Sequence, residues 1–277
     1  MNTVLQRIDK ALAGLYDAAE LESVKKALCL EYLDISAVCF YTSEPLAPDP
    51  DRDRNLDDAL GRMAKGEPLQ YIIGYAPFCG LQFRVDSRVL IPRPETAELV
   101  EWVAADCINA GAILDIGTGS GCIAITLAHR LPGFKVQGWD ISEAALEVAR
   151  ENNRVNGTDV EFRKEDILAA RSSDFKYDVI VSNPPYVMES EKARMEANVL
   201  EYEPHTALFV PDSDPLLFYR AIAEFGKKAL VKGGALYFEI NPLESEAMGS
   251  MLSDAGYHDI EIRKDIFGKH RMIKAVL

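Results

Sequence analysis

The sequence contains no Cys-x-x-Cys pair, and its cysteines number five, an odd count. A disulfide framework needs paired cysteines, and thiolate metal sites usually supply their ligands in such closely spaced pairs. Neither feature is predicted, and we expect no metal ion. The cysteines are interpreted as reduced and buried.

Long apolar runs are missing as well. No stretch approaches the length needed to span a bilayer, and the N-terminal segment "MNTVLQRIDKALAGLY" lacks the apolar core of a signal peptide. We therefore expect a cytoplasmic protein without a membrane partner.

Basic residues are too few to balance the acidic ones. Lys and Arg number 30 against 44 Asp and Glu, so the formal net charge is -14. This balance disfavours a protein that holds DNA or RNA through broad phosphate contacts, and we expect no direct nucleic-acid partner. A protein or a small molecule suits an acidic enzyme better. At 277 residues and 48% hydrophobic content, the chain can build the core of one large or two ordinary domains.

The pattern along the chain changes near residue 70. Residues 2–66 carry apolar side chains at helical spacing. The next stretch, "YIIGYAPFCGLQFRVD", is rich in aromatic and β-branched residues around a Pro- and Gly-containing turn, which predicts a β-hairpin. In "LIPRPETAELVEWV", Pro94 suits the first position of a helix. We predict a helical domain at residues 1–69, a hairpin linker at 70–91 and a third segment at 92–277.

From Ala112 onward, strand-like and helical stretches alternate. Such alternation predicts an α/β fold, with a mostly parallel sheet and helices on both faces. The tail contains the strand-like runs "HDIEIRKD" and "RMIKAVL" with no helix between them. These two runs should pair antiparallel at one edge of the sheet.

The first strand-turn-helix unit reads "LDIGTGSGCIAI". Its glycines at 117, 119 and 121 permit a tight turn and a close approach to a ligand. Asp140 ends the second strand about twenty residues later, where a carboxylate can accept hydrogen bonds from ribose hydroxyls. Cys122 stands where a dinucleotide fingerprint has its third glycine, which weakens an NAD oxidoreductase. The pattern indicates a nucleoside cofactor.

The stretch "YDVIVSNPPYV", residues 177–187, runs from a buried strand directly into two prolines. Proline has no N–H and pushes the preceding residue out of the helical region, so Asn183 and Pro184 should be extended with free carbonyls. In open α/β sheets ligands bind at this end of the strands. An ordinary Asn-Pro turn is the alternative if the stretch is taken alone.

Together these motifs resemble the S-adenosylmethionine-dependent methyltransferases that act on planar nitrogens. Within that class, "GEPLQYIIGYAPFCGLQF", "VLIPRPETAELVEW", "DIGTGSGCIAITLA", "DISEAALEVARENN", "SNPPYV" and "EYEPHTAL" resemble the release factor glutamine methyltransferase family (HemK/PrmC). The resemblance runs from residue 66 to the C-terminus. It implies a Rossmann-like class I methyltransferase domain, with a seven-stranded sheet and an antiparallel edge, preceded by a small helical domain and a β-hairpin linker.

The family transfers a methyl group from S-adenosyl-L-methionine to the glutamine amide nitrogen in the Gly-Gly-Gln motif of class I peptide chain release factors. S-adenosyl-L-homocysteine is the other product. The resemblance implies that the Asn183 side-chain oxygen and the Pro184 carbonyl accept the two N–H bonds of that amide, which positions the nitrogen and adds electron density to it. Tyr186 would lie against the amide or close the pocket. The implied substrate-binding residues are Asn183, Pro184, Pro185, Tyr186, Arg93 and Glu95.

The resemblance also implies a set of cofactor contacts. Asp166 is expected to bind the adenine amino group, with turn capping as the alternative, and Ile167 to pack on the adenine ring. A helix-capping role explains Glu95 nearly as well as substrate binding. The full implied cofactor set is Asp115, Gly117, Thr118, Gly119, Ser120, Gly121, Asp140, Ile141, Asp166, Ile167 and Asn183.

Alternative functions remain open at this point. A glutamine methyltransferase acting on a ribosomal protein would share the whole site. A nucleic-acid adenine or guanine methyltransferase shares "NPPY" but is disfavoured by the acidic charge. The intact Asp115, Asp140 and Asn183 speak against a non-catalytic cofactor-binding protein. No general base stands out, since no motif places any of the four histidines, at 129, 205, 258 and 270, within reach of the reacting proton.

Three positions depart from the family pattern. Ala97 stands where an acid is more frequent, Asn241 replaces a common glycine, and residues 209–215 replace a more glycine-rich loop. All are expected at the pocket rim, where they bear on substrate detail more than on reaction type.

Overall fold

The structure is a computed structural model that describes residues 2–42, 49–108, 110–172 and 175–277. The chain divides into two compact units. Met1–Gly74 with Glu196–Tyr202 form the helical unit, and Tyr75–Met195 with Glu203–Leu277 form the sheet unit. Positions 1 and 43–48 of the predicted helical domain lie outside the described residues.

The helices and strands of the described residues have the following bounds. In chain order the helices are α1 (Asn2–Ala11), α2 (Ala18–Tyr32), α3 (Ala37–Thr42), α4 (Pro50–Met63), α5 (Leu69–Ile73), α6 (Pro94–Asp106), α7 (Cys122–Arg130), α8 (Glu143–Val155), α9 (Ala197–Tyr202), α10 (Leu217–Ala229) and α11 (Ser245–Asp254). The strands are β1 (Tyr75–Phe78), β2 (Leu81–Arg84), β3 (Ala112–Ile116), β4 (Lys135–Asp140), β5 (Glu161–Lys164), β6 (Tyr177–Ser182), β7 (Val187–Met188), β8 (Phe209–Val210), β9 (Leu230–Glu239), β10 (His258–Lys264) and β11 (His270–Val276). Short 3-10 turns cover Glu189–Arg194, His205–Ala207 and Pro242–Glu244. None of the described helices is long and apolar enough to cross a membrane.

The helical unit has an apolar core of its own. Ile8 of α1, Leu28 of α2 and Leu56 of α4 are each fully buried in it. The Asp17 carboxylate caps the first turn of α2, and Asp49 does the same for α4, where Pro50 occupies the first turn. The predicted helical character of this region is confirmed for its described residues.

The predicted β-hairpin is confirmed, with one correction. β1 and β2 pair antiparallel across Cys79 and Gly80, whose φ angles of 49° and 82° make a two-residue turn of the kind hairpins favour. The preceding Tyr71–Ile73, read as strand-like, is instead part of helix α5. Gly74, with φ of 82°, ends this helix in the left-handed conformation. The strand propensity of the aromatic and β-branched residues before it did not decide their structure. The hairpin residues belong to the sheet unit.

The sheet unit is built on a seven-stranded sheet in the order β10-β11-β9-β6-β3-β4-β5. Strands β9, β6, β3, β4 and β5 run parallel, whereas β11 pairs antiparallel with both β9 and β10. The predicted parallel sheet with an antiparallel edge is confirmed. The chain builds outward from β3 to β5 and then returns to place β6 on the other side of β3. Ligands bind at such a reversal of strand order.

Apolar side chains cover both faces of the sheet. Along β3, Ile113 packs in one buried cluster and Leu114 in the other, because successive side chains point to opposite faces. On β6, Val179 and Ile180 divide in the same way. Burial on both faces explains why these strands are continuously apolar, and it leaves polar residues to the strand ends.

Candidate active site

A pocket of about 570 Å³ opens at the carboxyl ends of β3, β4 and β6. This is the point where the strand order reverses, and the volume is typical of small-molecule sites. The loops that follow the three strands supply much of its lining, including Gly117, Gly119, Asp140, Ile141 and Asn183.

The glycine loop after β3 presents bare backbone to the pocket. Gly117 and Gly119 adopt φ angles of 74° and 55°, which favour glycine. A Cβ added to Gly117 would meet no atom within 4 Å, so the space in front of this residue is open. The N–H groups of Gly117 and Thr118 donate to the Trp139 carbonyl at 2.8 and 2.9 Å, which ties the loop to β4. A ligand can therefore approach the main chain closely here.

Asp140 stands at the end of β4 and lines the pocket. Its carboxylate accepts hydrogen bonds from the backbone N–H of Gly119 and of Ser142, each at 2.9 Å. Burial raises the pKa of Asp140, and the backbone donors oppose that shift. The two donors fix the carboxylate in place, and such a carboxylate suits ribose hydroxyls.

The pocket wall beyond Asp140 is apolar. Trp139, Ile141, Ile167 and Ile222 line it, which provides flat and branched surfaces for a purine base. Asp166 lines the pocket as well, and its Oδ1 accepts the N–H of Leu168 at 2.9 Å. The turn-capping interaction weighed for Asp166 is therefore present, in a residue that also faces the pocket.

Other predicted cofactor residues lie behind the loop rather than on the pocket wall. Asp115 is fully buried, and the Thr118 hydroxyl donates to it at 2.6 Å. Burial raises the pKa of Asp115 to about 7. Ser120 is buried, and its carbonyl accepts from the Asn152 amide at 2.9 Å. Gly121 caps the start of α7 with φ of 81°. These positions support the loop, and their direct contact with a cofactor stays a prediction.

The "NPPY" segment leaves β6 at the edge of the same pocket. Asn183, Pro184 and Pro185 line it, whereas Tyr186 packs against the apolar core and is not among the described residues of the lining. The Asn183 side-chain amide donates to the Thr96 hydroxyl at 3.2 Å. The Tyr186 hydroxyl donates to Glu239 at 3.0 Å, and burial, together with that carboxylate, raises the pKa of Tyr186. Both polar side chains of the motif are thus held by neighbours from distant parts of the sequence.

Arg93 and Glu95 have different surroundings. Arg93 forms an ion pair with the buried Glu203, whose other oxygen accepts the N–H of Ile91 at 3.2 Å. This pair joins the "IPRPET" and "EYEPHTAL" segments, so Arg93 has a structural partner in the absence of substrate. Glu95 lies in the first turn of α6 and is partly exposed. Substrate binding by either residue stays a prediction.

Two residues next to the motif were not singled out from the sequence. Glu239 ends β9 with an exposed fraction of 1%, and Thr96 lies buried in the first turns of α6. The Thr96 hydroxyl donates to Glu239 at 2.6 Å. A signal for Glu239 does exist in the sequence, because an acid directly after the apolar stretch at 235–238 is unusual unless a partner or a function keeps it there.

The departures from the family pattern have clear places. Asn241 is buried, and its amide donates to Glu191 at 2.9 Å and to the Tyr186 carbonyl at 3.3 Å. Ala97 packs at the edge of an apolar cluster. Phe209, at the start of the 209–215 segment, lines the pocket. Phe209 therefore lies at the pocket rim as expected, whereas Asn241 holds the "NPPY" segment and neither it nor Ala97 is among the described residues that line the pocket.

The sheet topology and the pocket at its point of reversal define a class I S-adenosylmethionine-dependent methyltransferase fold. A methyltransferase structure from Pyrococcus furiosus has this fold, with a TM-score of 0.53 at 16% identity over 82% of this chain and 98% of that one. A T. thermophilus 16S rRNA N2 G1207 methyltransferase in complex with AdoMet and guanosine gives a TM-score of 0.53 at 17% identity, over 73% of this chain and 49% of that one. The fold alone does not select a substrate.

The chain belongs to the release factor glutamine methyltransferase family. The relative of that name from Bacteroides thetaiotaomicron is 48% identical over 276 residues, which cover 99% of both chains. A second, from Flavobacterium psychrophilum, is 42% identical over 96% of this chain and 95% of its own. Family models described as "PrmC N-terminal domain" and "Methyltransferase small domain" match residues 3–74 and 94–202. The predicted family is confirmed.

Proposed function

We propose that this protein transfers a methyl group from S-adenosyl-L-methionine to the glutamine side-chain amide in the Gly-Gly-Gln motif of class I peptide chain release factors. The observation that carries the proposal is 48% identity along the whole length of a release factor glutamine methyltransferase. The "NPPY" segment at the edge of a nucleoside-sized pocket agrees with it.

The pocket fits the cofactor. The open backbone at Gly117 and Gly119 would hold its chain, Asp140 would accept hydrogen bonds from its ribose hydroxyls, and Ile141 and Ile167 would pack on its adenine. When bound, S-adenosyl-L-methionine supplies an electrophilic methyl group on a sulfonium. The remaining catalytic requirements fall to this chain, which must position a weakly nucleophilic amide nitrogen.

Asn183 and Pro184 position that nitrogen. An amide nitrogen is a poor nucleophile because its lone pair is shared with the carbonyl. The Asn183 side-chain oxygen and the Pro184 carbonyl accept the two amide N–H bonds, which orients the nitrogen and increases its electron density. Proline supplies this carbonyl from a residue that has no N–H of its own and holds a fixed φ. Tyr186 packs its ring beside the planar amide.

The methylated nitrogen must lose one proton after transfer. Among the described residues that line the pocket there is no histidine. The product cation is strongly acidic, so water can take the proton once the methyl group has moved. Catalysis then rests on positioning and electrostatics instead of a general base.

The acidic net charge and the proposed release factor partner both bear on where the enzyme acts. At -14, the chain would gain little from the phosphates of a nucleic acid, so the release factor protein itself is the proposed binding partner. Because release factors act on ribosomes, we place the enzyme in the cytoplasm, without a membrane or nucleic-acid partner.

Mass spectrometry of a purified release factor, incubated with the enzyme and S-adenosyl-L-methionine, tests the proposal. A methyl-sized gain confined to the Gly-Gly-Gln peptide, and lost from a Gln→Ala release factor, is the expected result. A ribosomal-protein fraction is treated in parallel. Methylation found only in that fraction would keep the chemistry and replace the substrate, and transfer to neither would reject the proposal.

A further inference from the structure

A buried carboxylate stands behind the "NPPY" segment. Glu239 ends β9, the strand next to β6, and its exposed fraction is 1%. A carboxylate in such a place is costly unless donors surround it. The Thr96 hydroxyl donates to its Oε2 at 2.6 Å and the Tyr186 hydroxyl to its Oε1 at 3.0 Å. Burial raises the pKa of Glu239, and these two donors, together with the positive charge of Arg271 on β11, oppose that shift. The two carboxylate oxygens of Glu239 therefore accept from two different segments, one from Thr96 on helix α6 and one from Tyr186 of the "NPPY" segment.

Two series of hydrogen bonds start at Glu239, and we call them its first and second arm. The first arm runs through Thr96 to Asn183. A threonine hydroxyl has a single proton, and Thr96 gives it to Glu239. Only lone pairs remain on Thr96 Oγ1 to face Asn183, so the partner at 3.2 Å must be the Asn183 Nδ2 group. The reverse orientation would set two acceptors against each other. The Asn183 carbonyl oxygen is thereby kept on the side away from Thr96, in a residue that lines the pocket.

The second arm holds Tyr186 directly. Its hydroxyl donates to Glu239, and its main-chain carbonyl accepts from the Asn241 amide at 3.3 Å. The hydroxyl of the side chain and the main chain that carries it are therefore both held. Among the described residues that line the pocket, Asn183 is present but Tyr186, Glu239 and Thr96 are not, so these three residues act behind the pocket wall.

We infer that Glu239 is a positioning residue that sets the acceptor orientation of Asn183 through Thr96 and fixes Tyr186 directly. The inference rests on the proposed function, in which the Asn183 oxygen accepts from the substrate amide. The inference also explains why an acidic residue, Glu239, is buried at the end of β9. With the Thr96 and Tyr186 hydroxyls donating to its two oxygens, Glu239 acts as the acceptor that sets the direction of the hydrogen bonds from Asn183 and Tyr186.

Substitutions at Thr96 in the full chain test the first arm. Thr96→Val keeps the side-chain shape but removes the hydroxyl, and Thr96→Ser keeps the hydroxyl. We expect Thr96→Val to lower kcat on the release factor about tenfold or more, because a misoriented acceptor misplaces the amide. Thr96→Ser should stay within about threefold of the parent, and the Kd for S-adenosyl-L-methionine should stay within about threefold in both. Full activity in Thr96→Val, or failure of serine to restore it, would overturn the inference.

A double-mutant cycle separates positioning from general structural damage. If Thr96 acts through Asn183, then adding Thr96→Val to Asn183→Ala should change kcat less than about twofold beyond Asn183→Ala alone. Losses that multiply would mean that Thr96 acts independently of Asn183. Glu239→Gln has the same shape but introduces donors, so it should lower kcat by the same route, with the melting temperature recorded to confirm folding.

A second readout does not depend on the substrate. In the full chain labelled with ¹⁵N-asparagine, the Asn183 side-chain NH₂ signals are assigned by their loss in Asn183→Ala. The signals should shift in Thr96→Val and Glu239→Gln and remain near the parent positions in Thr96→Ser. Unmoved signals in Thr96→Val would reject the network even in an active enzyme. Shifted signals in a protein that fails to methylate release factors would uphold the network and reject the proposed substrate.

Discussion

At the residue scale, Asn183 and Asp140 are assigned different roles in the pocket. Asn183 is proposed to act on the substrate amide, and Asp140 on the cofactor ribose. We predict that Asn183→Ala lowers kcat about a hundredfold with little change in cofactor affinity, because the lost acceptor acts mainly during methyl transfer. Asp140→Ala should instead weaken cofactor binding. Turnover assays combined with calorimetric titration of S-adenosyl-L-methionine check both, and a loss confined to cofactor binding in Asn183→Ala would contradict its role.

Asp115 offers a prediction about pH and stability. Burial raises its pKa from 3.8 to about 7, so the folded protein keeps this proton over a range where the unfolded chain has lost it. The free energy of unfolding should therefore decrease as the pH rises from about 4 to about 7, by about 3 kcal/mol or less from this group. Asp115→Asn removes the titration but keeps the shape.

The stability advantage of Asp115→Asn over the parent should accordingly be larger at pH 8 than at pH 5. Thermal denaturation without cofactor at the two pH values measures this difference, and any constant effect of the new amide cancels between them. The same substitution at the exposed Asp159 is the matched control. A difference that does not change with pH would show that Asp115 is already ionised at pH 5.

At the element scale, the start of α7 depends on a glycine for a packing reason. A Cβ on Gly121 would lie 2.8 Å from Ile125 Cδ1, and its φ of 81° is unfavourable for alanine. Gly157, with φ of 64°, has the same backbone problem but meets no atom within 4 Å. We predict that Gly121→Ala costs about 3 kcal/mol, from strain and overpacking, and Gly157→Ala about 1 kcal/mol, from strain alone. Urea denaturation measures both, and equal losses would mean that the end of the Ile125 side chain turns aside and the overpacking costs nothing.

The order of elements was predictable because each signal is local. The alternation after Ala112 and the helix-free tail from His258 onward depend on neighbouring residues, and they led to the parallel sheet and its antiparallel edge. Helix α5 was missed because Tyr71–Ile73 have β-branched and aromatic side chains, while Gly74 could be read as either a turn or a helix end. Short apolar stretches of this kind are decided by packing rather than by propensity.

At the scale of the whole molecule, the site combines residues that sequence motifs identify with residues that only the fold brings together. Asn183 and Asp140 could be found because each follows a recognisable strand in its own motif. Thr96 and Glu239 could not be paired, since 143 residues separate them and only the packing of helix α6 against β9 brings them together. The same limit applies to Arg93 and Glu203, 110 residues apart. Motifs identify the residues that face a ligand, and the fold supplies those that hold them.

The division into two units leads to a prediction about substrate recognition. The proposed reacting residues and the pocket all belong to the sheet unit. We propose the helical unit as the main surface that grips the release factor, together with the hairpin of the sheet unit. We predict that a chain beginning at Tyr75 binds S-adenosyl-L-methionine within about threefold of the parent but has a KM for the release factor raised at least about tenfold, because remote contacts contribute binding energy.

Folding of the shortened chain needs its own check, because Glu196–Tyr202 belongs to the helical unit and would lose the rest of that unit. Cofactor binding and a cooperative melting transition establish that the sheet unit is intact. With that shown, an unchanged KM for the release factor would place the gripping surface on the sheet unit, and the hairpin would be the next region to substitute. A raised KM with a normal kcat at saturating substrate would assign binding energy to the helical unit and leave the chemistry with Asn183 and its supports.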